Sequence, residues 1–296
     1  MEATFGRVLT AMITPFTADG SLDLDGAQTL ARYLIGPGGN DGLVLAGTTG
    51  ESPTLTQDEQ IELIAAVADA VDVPIIAGAG SNNTASAVTN TERATKAGAS
   101  GLLHVAGYYN KPSQAGLAEH FRVCANATDL PILLYDIPGR TGRKIDTETI
   151  VDLVENVPNI IGVKDAAGNP AETSRLLSIA PPDTEVYSGD DGLTLPLLAV
   201  GAVGCIGVAT HWVGNEVRAM MDAFLRGDVE TAISINRQLI PSYKFETGDV
   251  APNPVPSKAM MRVMGLPAGP CRLPMGPEPD WLESAAESVL ADLGRS

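Results

Sequence analysis

PILLYDIPGRTGRKIDTETIVDLVENVPNIIGVKDA, residues 131–166, reads as strand, loop, helix and strand in turn. Its two apolar runs, PILLYDIPG and IIGVKDA, are short, rich in Ile, Leu and Val, and continuous rather than alternating. That is the pattern of parallel strands covered on both faces. The helical pattern over 147–154 lies between them, so the segment predicts one βα unit and the strand of the next.

Working outward, similar runs begin near Val8 (VLTAMIT), Leu43 (LVLAG), Pro74 (PIIAG), Leu102 (LLHVAG), Glu185 (EVYSGDD) and Gly204 (GCIGVA), making eight strands in all. They return at intervals of roughly 20–35 residues, the length of a strand, a helix and their loops. Helical patterns fill the gaps at 25–34, 56–71, 84–97, 114–127, 171–177, 194–200 and 216–225. In 56–71, Ile61, Ile64, Ala65 and Ala68 fall on one helical face, and Thr56 and Glu59 have the spacing of a capping box. Alternating β and α elements allow an open doubly wound sheet or a closed barrel, and eight units favour a (β/α)8 TIM barrel.

Past the eighth unit come helical patterns at 229–239, 257–264 and 280–293, with a proline-rich stretch at 251–256. They are too short to bury a core of their own. The expected organisation is a catalytic barrel over 1–226 and a C-terminal helical extension over 227–296.

A chain of 296 residues with 44% hydrophobic and 19% charged residues can bury a large core. Its formal charge of −17, from 36 acidic and 19 basic residues, argues against nucleic acid and anionic membrane surfaces as partners. Small anionic substrates stay admissible, because a few local cations and backbone N–H groups can hold a carboxylate against the net field. The three cysteines, Cys124, Cys205 and Cys271, are far apart and form neither a disulfide framework nor a C-x-x-C motif, which suits a reducing, cytoplasmic setting. MEATFGRVLT lacks the basic and apolar regions of a leader, and the low-charge stretch 195–213 is broken by glycines and a histidine, so neither signal peptide nor membrane span is expected.

Catalytic groups of such barrels sit at the C-terminal ends of strands. There the sequence places GTTGES (47–52), GYYNKPSQ (107–114), YDIPGRTG (135–142) and VKDA (163–166). Lys164 falls where the strand period points inward, and lysine is almost never fully buried without a reason. Free lysine is neutral in only about one molecule in a few thousand at pH 7, and burial raises that fraction. Lys164 is thus a candidate Schiff-base nucleophile. On this segment alone, a lysine paired with Asp165 or snorkelling to solvent fits as well.

Its neighbours decide between these. Tyr135, Tyr109 and Thr49 offer hydroxyls for the proton transfers of aldol chemistry, although a strand-end tyrosine often only packs. Thr48 and Thr49, in a glycine-containing turn leading to a helix, suit a carboxylate cradle or an ordinary βα turn. Arg140 could take a carboxylate through both guanidinium nitrogens or remain a solvated loop charge. His104, His120 and His211 have no ligand spacing, Gly78-Ala79-Gly80 lacks the third glycine of a dinucleotide loop, and GES is no nucleophile elbow. A metal-dependent hydrolase and a dinucleotide enzyme are therefore not expected.

Taken in order, GTTGES, YYNKPSQ, YDIPGRTG, GVKDA, YSGDD, NPVPSKAMM and RLPM resemble the dihydrodipicolinate synthase family, within the N-acetylneuraminate lyase superfamily of pyruvate-dependent class I aldolases. The resemblance runs from about Val8 to Met275. It implies condensation of pyruvate with L-aspartate 4-semialdehyde to 4-hydroxy-tetrahydrodipicolinate, on the route to lysine and diaminopimelate. It further implies that Lys164 forms the imine, that Thr48 and Thr49 hold the pyruvate carboxylate, and that Thr49, Tyr135 and Tyr109 relay protons. Arg140 would bind the aldehyde's carboxylate, while Gly189 and the Ile206 carbonyl would line the pocket. The resemblance implies no metal and no organic cofactor. A homotetramer built as a dimer of dimers is implied, with Tyr109 reaching into the neighbouring subunit's site.

The family's feedback site for L-lysine would use Ser52, Asn82 and Tyr108, but Gln57, Gln60 and Ser86 stand where lysine-sensitive members carry two histidines and a glutamate. The family's Thr-Pro before the paired tyrosines is here Ala106-Gly107, which frees the backbone ahead of Tyr109. The alternatives are a sialic acid or keto-sugar-acid lyase of the same barrel, which Arg140 disfavours, and a non-catalytic barrel that binds a ligand.

Overall fold

The computed structural model describes residues 3–295; positions 1, 2 and 296, at the outer ends of the expected barrel and extension, lie outside the described residues. Eight parallel strands close into a barrel in chain order. They are β1 (Val8–Ala11), β2 (Gly42–Leu45), β3 (Ile75–Gly78), β4 (Gly101–Val105), β5 (Ile132–Asp136), β6 (Ile160–Asp165), β7 (Glu185–Ser188) and β8 (Gly204–Gly207). Each begins within a residue of an apolar run named above. Strand residues alternate between two buried environments, as the period of two requires. One set, including Leu9, Val44, Ile76, Leu133, Tyr135, Tyr187 and Ile206, fills the barrel. The other packs outward against the helices, where Leu43, Leu102, Leu134 and Val163 meet Leu30, Ile64 and Phe121.

The helices start where short polar side chains satisfy free N–H groups. Asp23, Asn83, Ser113 and Asn169 each accept at an N-cap, and Thr56 and Glu59 complete the expected capping box. The eighth barrel helix is longer than its pattern, running from Thr210 to Leu225 with a break at Val213. Its first turns are buried all round, so they show no one-sided period. The helix Val229–Phe245 continues through Pro241, because its far end is drawn inward: Trp212 Nε1 donates to Ser242 Oγ at 3.0 Å, and the Trp212 ring meets Phe245 edge-on. Helices Val255–Val263 and Leu282–Asp292 follow. Short helical turns at Ser52–Thr54, Pro138–Thr141 and Asp191–Leu193 sit in the βα loops, too brief to leave a period in the sequence.

Candidate active site

Strand register puts Tyr135 beside Lys164 and Lys164 beside Tyr187, so all three face the barrel interior. Lys164 is 4% exposed, and its Nζ lies 4.4 Å from the centre of the Tyr135 ring. The pair with Asp165 does not form. Asp165 points outward and accepts from Thr173 Oγ1 at 2.5 Å and from the Ala167 N–H at 2.9 Å. Asp136 is occupied by Lys144 at 2.6 Å and by the Ile145 N–H, and burial still holds its carboxyl above the usual range. Among the described residues Lys164 has no ion-pair partner.

Gly189 stands over the same lysine, tied by its N–H to the Asp165 carbonyl at 2.7 Å. A Cβ there would lie 3.0 Å from Lys164 Cγ and Cε. Ile206 is fully buried among the interior side chains next to Tyr187. Next to this group, and sharing Tyr135 with it, opens a cleft of about 220 Å³, walled by Thr48, Leu103, Val105, Tyr108, Tyr135 and Arg140 among others. It lies at the C-terminal ends of β2 to β5, where barrel chemistry is found. Arg140 is exposed at its mouth on the turn Pro138–Thr141, which Gly142 closes in the left-handed region at φ +69°.

The GTTGES turn supplies the opposite wall. Thr48 is half-buried and Thr49 buried, and among the described residues neither backbone N–H has a hydrogen-bond partner. Two free donors beside the cleft are what a carboxylate cradle requires. The turn passes through Glu51 in the left-handed region at φ +55°, a conformation a non-glycine residue needs help to hold. That help comes from the C-terminal extension. Lys258 Nζ pairs with Glu51 Oε1 at 2.6 Å, both side chains fully buried, and the Arg272 N–H donates to Glu51 Oε2 at 2.9 Å. Burial lowers the Lys258 amine against the opposing pull of Glu51. Asn253 Nδ2 donates to Thr49 Oγ1 at 2.9 Å. Sequence reasoning missed the roles of Asn253, Glu51 and Lys258 at this turn. The available signal was that Glu51 lies within GTTGES and Asn253 and Lys258 within NPVPSKAMM.

Tyr109 is not brought to its own chain's cleft. It is 92% exposed, at φ +69°, on a loop pinned where Asn82 Oδ1 accepts the Tyr108 N–H at 2.8 Å. That bond supplies the anchorage which Ala106-Gly107 does not. His211 and His104 are structural. His211 accepts the Ile13 N–H on Nε2 at 3.1 Å and donates from Nδ1 to the Val208 carbonyl at 2.7 Å, a neutral ring whose pKa burial lowers to about 4. His104, fully buried beside Thr91, is lowered to about 3 by desolvation. Behind β8, Asp191 accepts the Val208 N–H and Glu246 the Ala209 N–H, and burial raises both carboxyls. Among the described residues no three His, Cys, Asp or Glu side chains group as a metal site, and no helix is long and apolar enough to cross a membrane.

Fold and cleft together define a (β/α)8-barrel protein with a buried lysine, unpaired among the described residues, packed against a tyrosine that walls a cleft at the C-terminal ends of the strands. The chain belongs to the dihydrodipicolinate synthetase family, whose model matches residues 4–292. It is 54% identical over 291 residues to the 4-hydroxy-tetrahydrodipicolinate synthase of Acidothermus cellulolyticus, covering 97% of this chain and 90% of that one. The enzyme of the same name from Moorella thermoacetica is 51% identical over 273 residues, 92% of each chain. Among solved structures, DHDPS from Cyanidioschyzon merolae with lysine bound superposes at a TM-score of 0.94 with 42% identity, over 98% of both chains.

Proposed function

We propose that this chain is a class I aldolase that condenses pyruvate with L-aspartate 4-semialdehyde to 4-hydroxy-tetrahydrodipicolinate, in lysine and diaminopimelate biosynthesis. The observation that carries the mechanism is Lys164, buried against the Tyr135 ring with no counter-ion among the described residues. Its free amine attacks the keto carbon of pyruvate, and loss of water from the carbinolamine gives the imine. Removal of a methyl proton yields the enamine, which attacks the aldehyde carbon and leaves an alkoxide to be protonated. Tyr135, Thr49 and Tyr109 carry these protons. Thr48 and Thr49 hold the pyruvate carboxylate, Gly189 and the Ile206 carbonyl border the adduct, and Arg140 takes the carboxylate of the semialdehyde. The imine itself is the electron sink, so the reaction calls for no metal or organic cofactor.

The positive φ and near-complete exposure of Tyr109 support a homotetramer, a dimer of dimers in which that ring enters the neighbouring subunit's cleft. In this reading residues 1–226 are the catalytic barrel and 227–296 an extension that braces it, in a cytoplasmic enzyme. Incubation with pyruvate and borohydride, followed by peptide mass spectrometry, tests the nucleophile: one reduced adduct on Lys164 is expected. An adduct on Lys258, the other buried lysine, or on exposed Lys111 would overturn the assignment. Turnover should favour L-aspartate 4-semialdehyde over sugar aldehydes, because only the former presents a carboxylate to Arg140.

A further inference from the structure

The loop 137–145 leaves the end of β5 and comes back to it, and its return is fixed on one side chain. Asp136, the last residue of β5, accepts the Ile145 N–H on Oδ1 at 3.0 Å and the Lys144 amine on Oδ2 at 2.6 Å. The Asp136 side chain is 2% exposed and that of Lys144 half-buried. Within the loop the Gly142 N–H donates to the Pro138 carbonyl at 2.8 Å, and Thr141 Oγ1 accepts the Arg143 N–H at 3.2 Å. Outside it, Gln114 Nε2 donates to the Lys144 carbonyl at 2.9 Å and an Arg143 nitrogen to the Lys111 carbonyl at 3.1 Å. Those two ties reach the segment that opens the helix Gln114–Ala125. Among the described residues, only the bonds to Asp136 join the returning end of the loop to a barrel strand.

Arg140 stands in the middle of this loop and walls the cleft, and among the described residues no hydrogen bond or ion pair ties its guanidinium to the protein. A long side chain without a partner keeps its rotamer freedom, so the backbone that carries it decides where the charge can stand. Lys144 has a second task. Asp136 lies beside Asp165 in the strand register, and both carboxyls point outward from the strands that carry Tyr135 and Lys164. Without the Lys144 cation two buried carboxyls would stand side by side with no charge to oppose them. We propose that Asp136 and Lys144 are positioning residues, whose ion pair sets the loop that carries Arg140 and so determines how tightly the carboxylate of the aldehyde substrate is held. The proposal rests on the assignment of Arg140 to that carboxylate. Neither Asp136 nor Lys144 walls the cleft, so their effect must pass through the loop.

Steady-state kinetics of the full-length enzyme test this. Asp136→Asn keeps an oxygen for the Ile145 N–H but turns an NH2, which only donates, toward the Lys144 amine. It should raise KM for L-aspartate 4-semialdehyde by about fivefold or more and leave KM for pyruvate within about twofold. Lys144→Met should do the same. The double variant, which strands no charge, should show the rise of a single variant, because both substitutions break one interaction. A rise equal to the product of the two single effects would mean that the residues act separately, and would overturn the proposal. So would a wild-type KM for the aldehyde in both single variants, or equal increases for both substrates. A merely structural pair would lower thermal stability without separating the two KM values. Arg140→Ala, measured alongside, keeps the two readings apart: an unchanged KM for the aldehyde there would overturn the Arg140 assignment together with the proposal, and a rise in Arg140→Ala alone would overturn the proposal only. Thermal unfolding establishes that each variant is folded, and if Asp136→Asn does not fold, Lys144→Met decides.

Discussion

Gly189 leaves Lys164 the space in which to act: a Cβ at position 189 would come within 3.0 Å of both Cγ and Cε of the lysine. This glycine is not required by a positive φ but by the close approach of a side chain. Gly189→Ala should therefore keep the fold and displace the amine. Overpacking of this kind costs about 1–3 kcal/mol, and to the extent that the displaced amine must recover it to reach pyruvate, borohydride trapping should slow by about fivefold or more. A wild-type trapping rate in a folded variant would show that the lysine has room to move.

Arg140 stands at the mouth of the cleft with no protein carboxylate paired to it among the described residues. Losing a bidentate carboxylate contact costs about 1.5–3 kcal/mol. Steady-state kinetics of Arg140→Ala should show KM for L-aspartate 4-semialdehyde rising far more than KM for pyruvate. Equal increases for both substrates would place Arg140 outside the aldehyde subsite.

Tyr109→Phe preserves the ring and removes only the hydroxyl, so a role as proton carrier predicts a fall in kcat with the oligomer intact. Sedimentation measured alongside kinetics separates this from loss of assembly. An unchanged kcat would exclude Tyr109 from the relay.

L-lysine should inhibit weakly or not at all. The turn bearing Ser52 already accepts from Gln60 Nε2 at 3.0 Å, and Asn82 is engaged by the Tyr108 N–H. With Ser86 in place of a carboxylate, the effector's ammonium would leave water for neutral partners, and charge-assisted bonds are about twice as strong as neutral ones. Affinity should drop by about an order of magnitude or more, equivalent to about 1.4 kcal/mol or more. Half inhibition by sub-millimolar L-lysine at saturating pyruvate would contradict this.

His211 makes stability depend on pH in a defined direction. The unfolded chain binds a proton near pH 6.5, whereas the folded ring stays neutral down to about 4. Below 6.5 the unfolded state therefore holds the extra proton, and stability falls as the pH drops through that window, by about 1.4 kcal/mol per pH unit for this group. Asp191 and Glu246, raised by burial, act in the opposite sense in wild type and variant alike. Denaturant unfolding of His211→Gln from pH 7 to 4.5 should accordingly show a shallower loss than wild type, and parallel curves would rule the ring out.

The barrel was legible in the chain because both of its signals are local. Continuous apolar runs such as PIIAG and LLHVAG mark strands covered on two faces, and the 3.6-residue period between them marks helices. Lys164 stood out for the same reason: one charged residue inside such a run is visible without knowing its neighbours. Tertiary structure alone decided what surrounds it. That Asp165 turns outward to Thr173, leaving the lysine unpaired, depends on strand register. That Gly189 clears its path depends on how closely β6 and the loop after β7 approach. The bonds from Asn253 to Thr49 and from Lys258 to Glu51 join residues more than 200 positions apart, and no periodicity encodes a contact at that separation. Composition and spacing constrain a residue through its near neighbours in sequence, whereas the geometry around this cleft is set by neighbours that only barrel closure and the packing of the extension bring within hydrogen-bond reach.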